Sequence, residues 1–454
     1  LQKKLLSKKA DLEIRKMNVL HVCGAFPYDY SGGVQVYVKS LLQQSKDYNP
    51  AVLDSINNSK NECYYEKINH NGFTNYRIFN SPIKSSRMLQ PLEDCSNARI
   101  EEIFIEVIND FKPDVIHFHL LLNLGVSLIQ IAKELGVKVI VSLHDYWFIC
   151  PRIQLLNKNN EVCVSPLGGH NCSKCVPKNK LDFVLEKASK KLIKRERLSD
   201  EIVTPKTNKG KSNAALLEKQ TTRFNYFVDS LNKADLILAV SDFVRRKFIQ
   251  EGVNENKIIT NHIGNITAEK NFWPKEYKKE KKNKGNLQIG FIGNFIKAKG
   301  SDVIINGLSK VEGNFKLKVY GRMDENKKMV AEKILGEKLV MGGSYTQNDL
   351  PEIFEDLDIL LVPPVWYDNA PQVVFEGLNG GLPVIGANIG GIPDFIQNGV
   401  NGYLFEPGNS DELANIINNL IENPRNLEDL FNNITRTKNP QEHLKELMTF
   451  YKGW

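Results

Sequence analysis

Residues 366–393 read WYDNAPQVVFEGLNGGLPVIGANIGGIP. Two carboxylates, Asp368 and Glu376, stand on either side of a helix start, with Pro371 shaping the turn between them. A Gly-Gly-x-Pro-Val run then leads into a short apolar strand, and a second Gly-Gly loop follows. A helix feeding a fully apolar strand is the repeating unit of a parallel sheet covered on both faces. Carboxylates accept hydrogen bonds from hydroxyls, and glycine turns and helix N-termini hold phosphate oxygens through backbone N–H groups. The stretch therefore suits a sugar carried on a diphosphate.

The same alternation extends in both directions. Strands are expected at LQIGFIG (287–293), FKLKVYG (315–321), LDILLVPP (357–364), LPVIGA (382–387) and GYLF (402–405), with helices between them. Upstream, residues 18–23 form an apolar strand, and Gly32-Gly33 opens the helical pattern VQVYVKSLLQQS. DVIHFH (114–119), a helix over about 126–135, VKVIVSLH (137–144) and ADLILAVS (234–241) complete the first series. The lysine-rich segment 275–286 suits a linker. The expected fold class is α/β, with two Rossmann-like doubly wound domains facing a central cleft. The first covers 1–265 and the second 266–436, and a last helix within 437–454 packs back across the first. Ligands of such sheets bind outside the carboxyl ends of the strands.

At 454 residues, two domains are the natural division. An apolar fraction of 41% supports real cores, and no apolar run reaches the length of a membrane span. The N-terminal residues lack a signal-peptide pattern. Seven cysteines in so long a chain suit a reducing compartment, so a cytoplasmic location is expected, peripheral at the inner face of a membrane. The formal charge of +7 fits an anionic membrane surface or an anionic substrate. Its densest part, Lys174 to Lys219 with KASKKLIKRER, is equally well read as a solvated face. Nothing resembles a nucleic-acid-binding module.

HDYWFICPR (144–152), ADLILAVS, FIGNFIKAKG (291–300), VYG (319–321) and the carboxylate pair with its glycines together resemble the family 4 glycosyltransferases of GT-B architecture. The resemblance covers nearly the whole chain. It implies transfer of a sugar, with retention, from a nucleotide-diphosphate donor to a hydroxyl of a glycan or lipid-linked acceptor, as in bacterial cell-surface polysaccharide synthesis. It implies that Glu376 holds the ribose hydroxyls and that Asp368, where the family usually has Glu, contacts the donor sugar. Asn369, Ala370, Pro371 and Val373 surround sugar and phosphate oxygens, Pro371 only by shaping the turn. Lys299 neutralises the leaving diphosphate. The family's companion Arg is replaced by Asn294, and Arg322 after VYG is a substitute. Gly32 and Gly33 lie against the phosphates and acceptor, and His144 meets the donor sugar. His119 is a second choice, on the same strand face as His117. No catalytic metal is expected, since Lys299 and helix dipoles carry the charge.

Taken singly, each of these residues has a plainer reading. The acids could favour a helix start, Lys299 could be a surface lysine, and Gly-Gly could be only a tight turn. An epimerase or phosphorylase on the same architecture is one alternative. A degenerate homologue that binds nucleotide sugar or scaffolds a complex is another.

Cys150, Cys163, Cys172 and Cys175 share one turn-rich segment ending in C-x2-C, a pattern suited to a structural zinc ion, with His170 able to replace one sulfur. Four unlinked thiols are the plainer reading.

Overall fold

The computed structural model describes residues 15–26, 32–58, 62–85, 88, 91–177, 210–269, 272–273 and 286–453. Most of the lysine-rich segment 275–286 and the basic run 187–197 lie outside the described residues.

Fourteen strands form two sheets among the described residues. The first contains β1 (Met17–Cys23), β2 (Tyr48–Ile56), β3 (Tyr64–His70), β4 (Phe73–Phe79), β5 (Val115–Leu120), β6 (Lys138–Leu143), β7 (Leu236–Ala239) and β8 (Ile258–Thr260). Their order is β3-β4-β2-β1-β5-β6-β7-β8, and every pairing is parallel except the antiparallel β3–β4 edge. The second contains β9 (Leu287–Ile292), β10 (Phe315–Tyr320), β11 (Leu339–Gly343), β12 (Ile359–Val362), β13 (Val384–Ala387) and β14 (Gly402–Phe405). Their order is β11-β10-β9-β12-β13-β14, parallel throughout.

Helices on both faces explain why the central strands are apolar without alternation. All residues of β9, β12 and β13 are buried. The strands that the sequence reading did not place are mostly those at the margins. Strand β3, YYEKINH, is half exposed and carries too few apolar residues to stand out. Strand β2 carries Pro50, which conceals a buried strand in a sequence pattern.

Each sheet reverses its order at one point, between β1 and β5 and between β9 and β12. Loops that leave these neighbouring strands diverge and open a crevice. The helix Pro440–Lys452 returns from the second half of the chain to the first core, where Leu444, Leu447, Met448 and Tyr451 are buried. A capping box at Asn439 and Glu442 and a proline in the first turn fix its start. Among the described residues no helix is long and apolar enough to cross a membrane.

Candidate functional site

A cleft of about 450 Å³ lies where the two sheets present their strand ends to each other. Gly33 follows β1 into it, and His144 and Asp145 follow β6. From the other side come Gly293 and Lys299 after β9, and the loop after β12 from Pro363 through Val373. Asp368, Asn369, Ala370, Pro371 and Val373 all line it.

Lys299 is placed by a tight turn. The single-turn helix Lys297–Lys299 ends at Gly300, whose φ of 84° is left-handed. A Cβ on Gly300 would sit 1.9 Å from the Pro363 carbonyl oxygen, so only glycine lets this turn press against the end of β12. From there Lys299 Nζ donates to Asp368 Oδ2 at 2.6 Å and stands 5.3 Å from the centre of the Trp366 ring. The lysine side chain is 41% exposed, so an anion entering the cleft can reach it.

The paired glycines of the opening sequence have a packing role. Gly391 N donates to Asp368 O at 2.8 Å. A Cβ on Gly391 would approach Asn369 O to 1.9 Å, and one on Gly390 would approach Asp368 O to 2.2 Å. Gly390-Gly391 thus lets one loop lie directly beneath the carboxylate loop. Gly380 and Gly381 lie past the end of the helix Gln372–Asn379, and Gly380 faces Phe354 and Trp273. Backbone N–H groups able to meet an anion lie elsewhere. The helix Gln372–Asn379 starts in the cleft at Pro371 with no side-chain cap and no acid in its first turn. The helix Gly33–Gln43, with Gly32 as its N-cap, likewise has neither. First-turn N–H groups at both starts can meet an anionic ligand, except that of Val374, which donates to Pro371 O at 3.0 Å.

Several polar contacts tie the two halves together here. Asn369 Nδ2 donates to the carbonyl of His144 at 2.6 Å. Asn265 Nδ2 donates to Gln372 Oε1 at 2.6 Å, and Asp394 Oδ2 accepts from the Asp242 backbone N–H at 2.5 Å.

Among the described residues, three buried polar atoms of one short stretch have no hydrogen-bond partner: Trp366 Nε1, Asn369 Oδ1 and Glu376 Oε2. Burial pushes the Glu376 carboxyl up to about 7. It also raises Tyr345 to about 12, with the Glu376 charge adding to the effect. Buried polar atoms are nearly always satisfied, so three orphans in eleven consecutive residues make this stretch a candidate site for a polar ligand.

His144 stands at the top of a buried histidine cluster. Its Nε2 is 3.4 Å from His119 Nδ1, and His119 Nε2 is 3.0 Å from His21 Nδ1. His21 Nε2 meets the Tyr48 hydroxyl at 3.1 Å. His117 bonds Tyr451 and Ser142 at 2.7 and 2.8 Å. Parallel pairing sets His21 beside His117, and strand alternation puts His119 on the same face. Among the described residues, His21, His117 and His119 alone bring three ligating atoms within 4.8 Å of one another. Every ring nitrogen of the three already has a partner, so the cluster is a closed hydrogen-bond network. Tyr37 packs on His144 at 4.7 Å between ring centres, and its hydroxyl meets His443 of the C-terminal helix at 2.7 Å.

Not every residue singled out from sequence reaches the cleft wall. Asn294 and Arg322 are exposed and stand outside the lining, although Phe295 N donates to Arg322 O and joins their loops. Gly32 is exposed beside Gly33. Glu376 lies one helical turn behind the lining. In turn the cleft is lined by Asp145, Gln154 and Trp366, to which the sequence reading gave no role. Burial raises the Asp145 carboxyl to about 6, opposed by the Trp147 N–H that it accepts. Trp366 is the first residue of the opening stretch, and its nearness to Lys299 is visible only in three dimensions.

Residues 274–437 match the family model Glycosyl transferases group 1. An uncharacterized 42.6 kDa protein in the cps region of Klebsiella pneumoniae is 22% identical over 396 residues, 84% of this chain and 87% of that protein. The lipopolysaccharide 1,6-galactosyltransferase of Escherichia coli K12 is 29% identical over 185 residues, which is 39% of this chain and about half (49%) of that protein. Among solved structures, Anabaena HepE in complex with UDP and glucose superposes with a TM-score of 0.59 at 14% identity, covering 96% of this chain and 100% of that one. The fold is therefore the GT-B arrangement, and residues 274–437 are a glycosyl transferases group 1 domain.

Proposed function

We propose that this chain, with its group 1 glycosyl transferase domain, moves a sugar from a nucleotide-diphosphate donor to a hydroxyl of a glycan or lipid-linked acceptor. The observation that carries the reading is the set of three unpartnered buried atoms, Trp366 Nε1, Asn369 Oδ1 and Glu376 Oε2, beside the Lys299–Asp368 pair. A nucleotide sugar carries hydroxyl donors for the two oxygens and oxygen acceptors for Trp366 Nε1. Its ribose hydroxyls donate to Glu376, its sugar hydroxyls meet Asp368 and Asn369, and its diphosphate takes the Lys299 ammonium and the first-turn N–H groups of the two helices.

In this reading the bond from the anomeric carbon to the diphosphate oxygen breaks heterolytically, and negative charge gathers on the leaving phosphate. The Lys299 ammonium, exchanging Asp368 for the diphosphate when the donor binds, and the helix starts would stabilise that charge as it grows. The acceptor oxygen attacks from the face that the diphosphate leaves, and a phosphate oxygen takes its proton. His144, which burial holds down to about 3, stays neutral and offers the donor sugar a hydrogen bond rather than a proton. A cytoplasmic enzyme working on an acceptor at an anionic membrane surface fits the basic residues from Lys174 to Lys219. One relative is a lipopolysaccharide 1,6-galactosyltransferase, and cell-surface polysaccharide or glycoconjugate synthesis is the setting proposed here.

Retention and independence from a divalent cation form one expected result. Proton NMR of the product of an α-linked donor should show the α anomer, at a rate unchanged by added Mg²⁺ or Mn²⁺. A β product would sink the proposed geometry, and a strict requirement for added cation would sink the role of Lys299.

A further inference from the structure

Between β6 and the helix Gly210–Lys233, the described chain from 144 to 177 contains only the one-turn helix Cys172–Cys175 and a single bridge, Leu156 to Val162. Even so, it folds tightly. Tyr146 N donates to Ile153 O at 3.0 Å, and Cys163 N donates to Leu155 O at 2.7 Å. Ile153, Leu155, Asn160 and Leu167 all take positive φ, and Ile153 is β-branched at a φ of 73°. Such backbone persists only where its surroundings over-determine it. Gly169 lies against the Gln220 backbone, where a Cβ would come within 2.5 Å of the carbonyl oxygen.

These turns gather four sulfurs. Cys150, Cys163, Cys172 and Cys175 all line one cavity of about 340 Å³, separate from the cleft, and Cys150 and Cys172 are buried. Twelve, eight and two residues separate them in sequence, ending in the C-x2-C knuckle typical of tetrahedral thiolate sites. Among the described residues, no three of these sulfurs lie within 4.8 Å of one another. A zinc ion with sulfur ligands at about 2.3 Å would draw them together.

We propose that these four cysteines bind one structural zinc ion, which fixes the loop against the donor cleft. The proposal stands apart from the transferase reading, because it rests only on four cysteines of zinc-site spacing lining one cavity. Its consequence for the cleft follows from the chain path, since Ile153 and Gln154, between the first two cysteines, line the cleft wall. Backbone contacts hold the loop around the cavity: Arg152 Nη1 donates to Cys175 O at 3.4 Å, and Lys247 Nζ donates to Val164 O. Four thiolates satisfy the ion, so it has no open position and no catalytic part.

The test is metal analysis of the untagged full chain, purified without added metal, by plasma mass spectrometry. One zinc per chain is expected, absent from Cys172→Ser/Cys175→Ser and kept in Cys63→Ser, which lies outside the cluster. Should the double variant fail to fold, a mercurial titration of the wild-type chain decides. Zinc released in step with the blocking of four thiols supports the site. Folded wild-type protein without zinc overturns it, as does zinc retained in the folded double variant. Disulfides among these cysteines in a zinc-free chain would overturn it as well.

Discussion

Lys299→Ala is expected to lower kcat/KM for the nucleotide-sugar donor by about 100- to 1,000-fold, the usual cost of removing one preorganised charge from a developing anion. The loss should fall mainly on kcat, because the ammonium is worth most when the leaving diphosphate carries its full charge. Stability should hardly change. The lysine side chain is 41% exposed, and its ion pair with Asp368 is accordingly screened. Steady-state kinetics with a melting curve of the same sample separates the two effects. Unchanged kcat in a folded variant would remove Lys299 from the chemistry, and a collapsed melting temperature would make it a structural lysine.

Acid should destabilise the fold well above the range where carboxylates titrate. Burial holds His21, His144 and His443 down to about 3 and keeps His117 and His119 far below their ordinary value of 6.5. A depressed folded pKa means that the native state keeps the neutral ring. Its stabilising contribution is complete above about 6.5 and is lost as pH falls from there towards 3. Each histidine that must take up a proton costs about 1.4 kcal/mol per pH unit over that window. Two carboxyls act in the opposite sense. Glu376, raised to about 7, and Asp145, raised to about 6, lessen their penalty as pH falls through those values. Five histidines outweigh two carboxyls, so the net loss by pH 5 is on the order of several kcal/mol. Thermal melts from pH 7.5 to 5 should show a steady fall in Tm. A flat Tm would mean that the cluster is solvated or otherwise compensated. The first element to loosen should be the helix Pro440–Lys452, because His443 and Tyr451 tie it to Tyr37 and His117.

The fold class was legible because its signals are local. Buried strands such as ILLV and VIGA are continuous apolar runs, and their spacing by helices implies a parallel sheet. The strands from Tyr48 to Phe79 gave no such signal, since their faces are mixed and one contains proline. Lys299, Asp368 and His144 could be singled out through the family resemblance, and each ends a strand or follows its loop, where this topology gathers ligand groups. What the glycines do could not be read from the chain. Gly391 is needed because Asn369 O lies 1.9 Å from where its Cβ would be, a fact of packing between loops twenty residues apart. The histidine network escaped for the same reason. His21, His119 and His443 are distant in sequence, and only the parallel pairing of β1 with β5 and the returning last helix bring them together. Trp366 and Gln154 carry no motif and became cleft residues only through the path of their loops.

Use of a nucleotide sugar at the Lys299–Asp368 cleft is tested most directly by a donor screen. The purified chain is presented with UDP-, GDP- and ADP-sugars, with and without glycan and lipid-linked acceptors, and free nucleoside diphosphate is measured. One donor should be consumed, faster when an acceptor is present, and that consumption should vanish in Glu376→Ala. Tight binding without release under any acceptor would instead identify a nucleotide-sugar-binding homologue without turnover. No binding of any donor would contradict the assignment of the cleft itself.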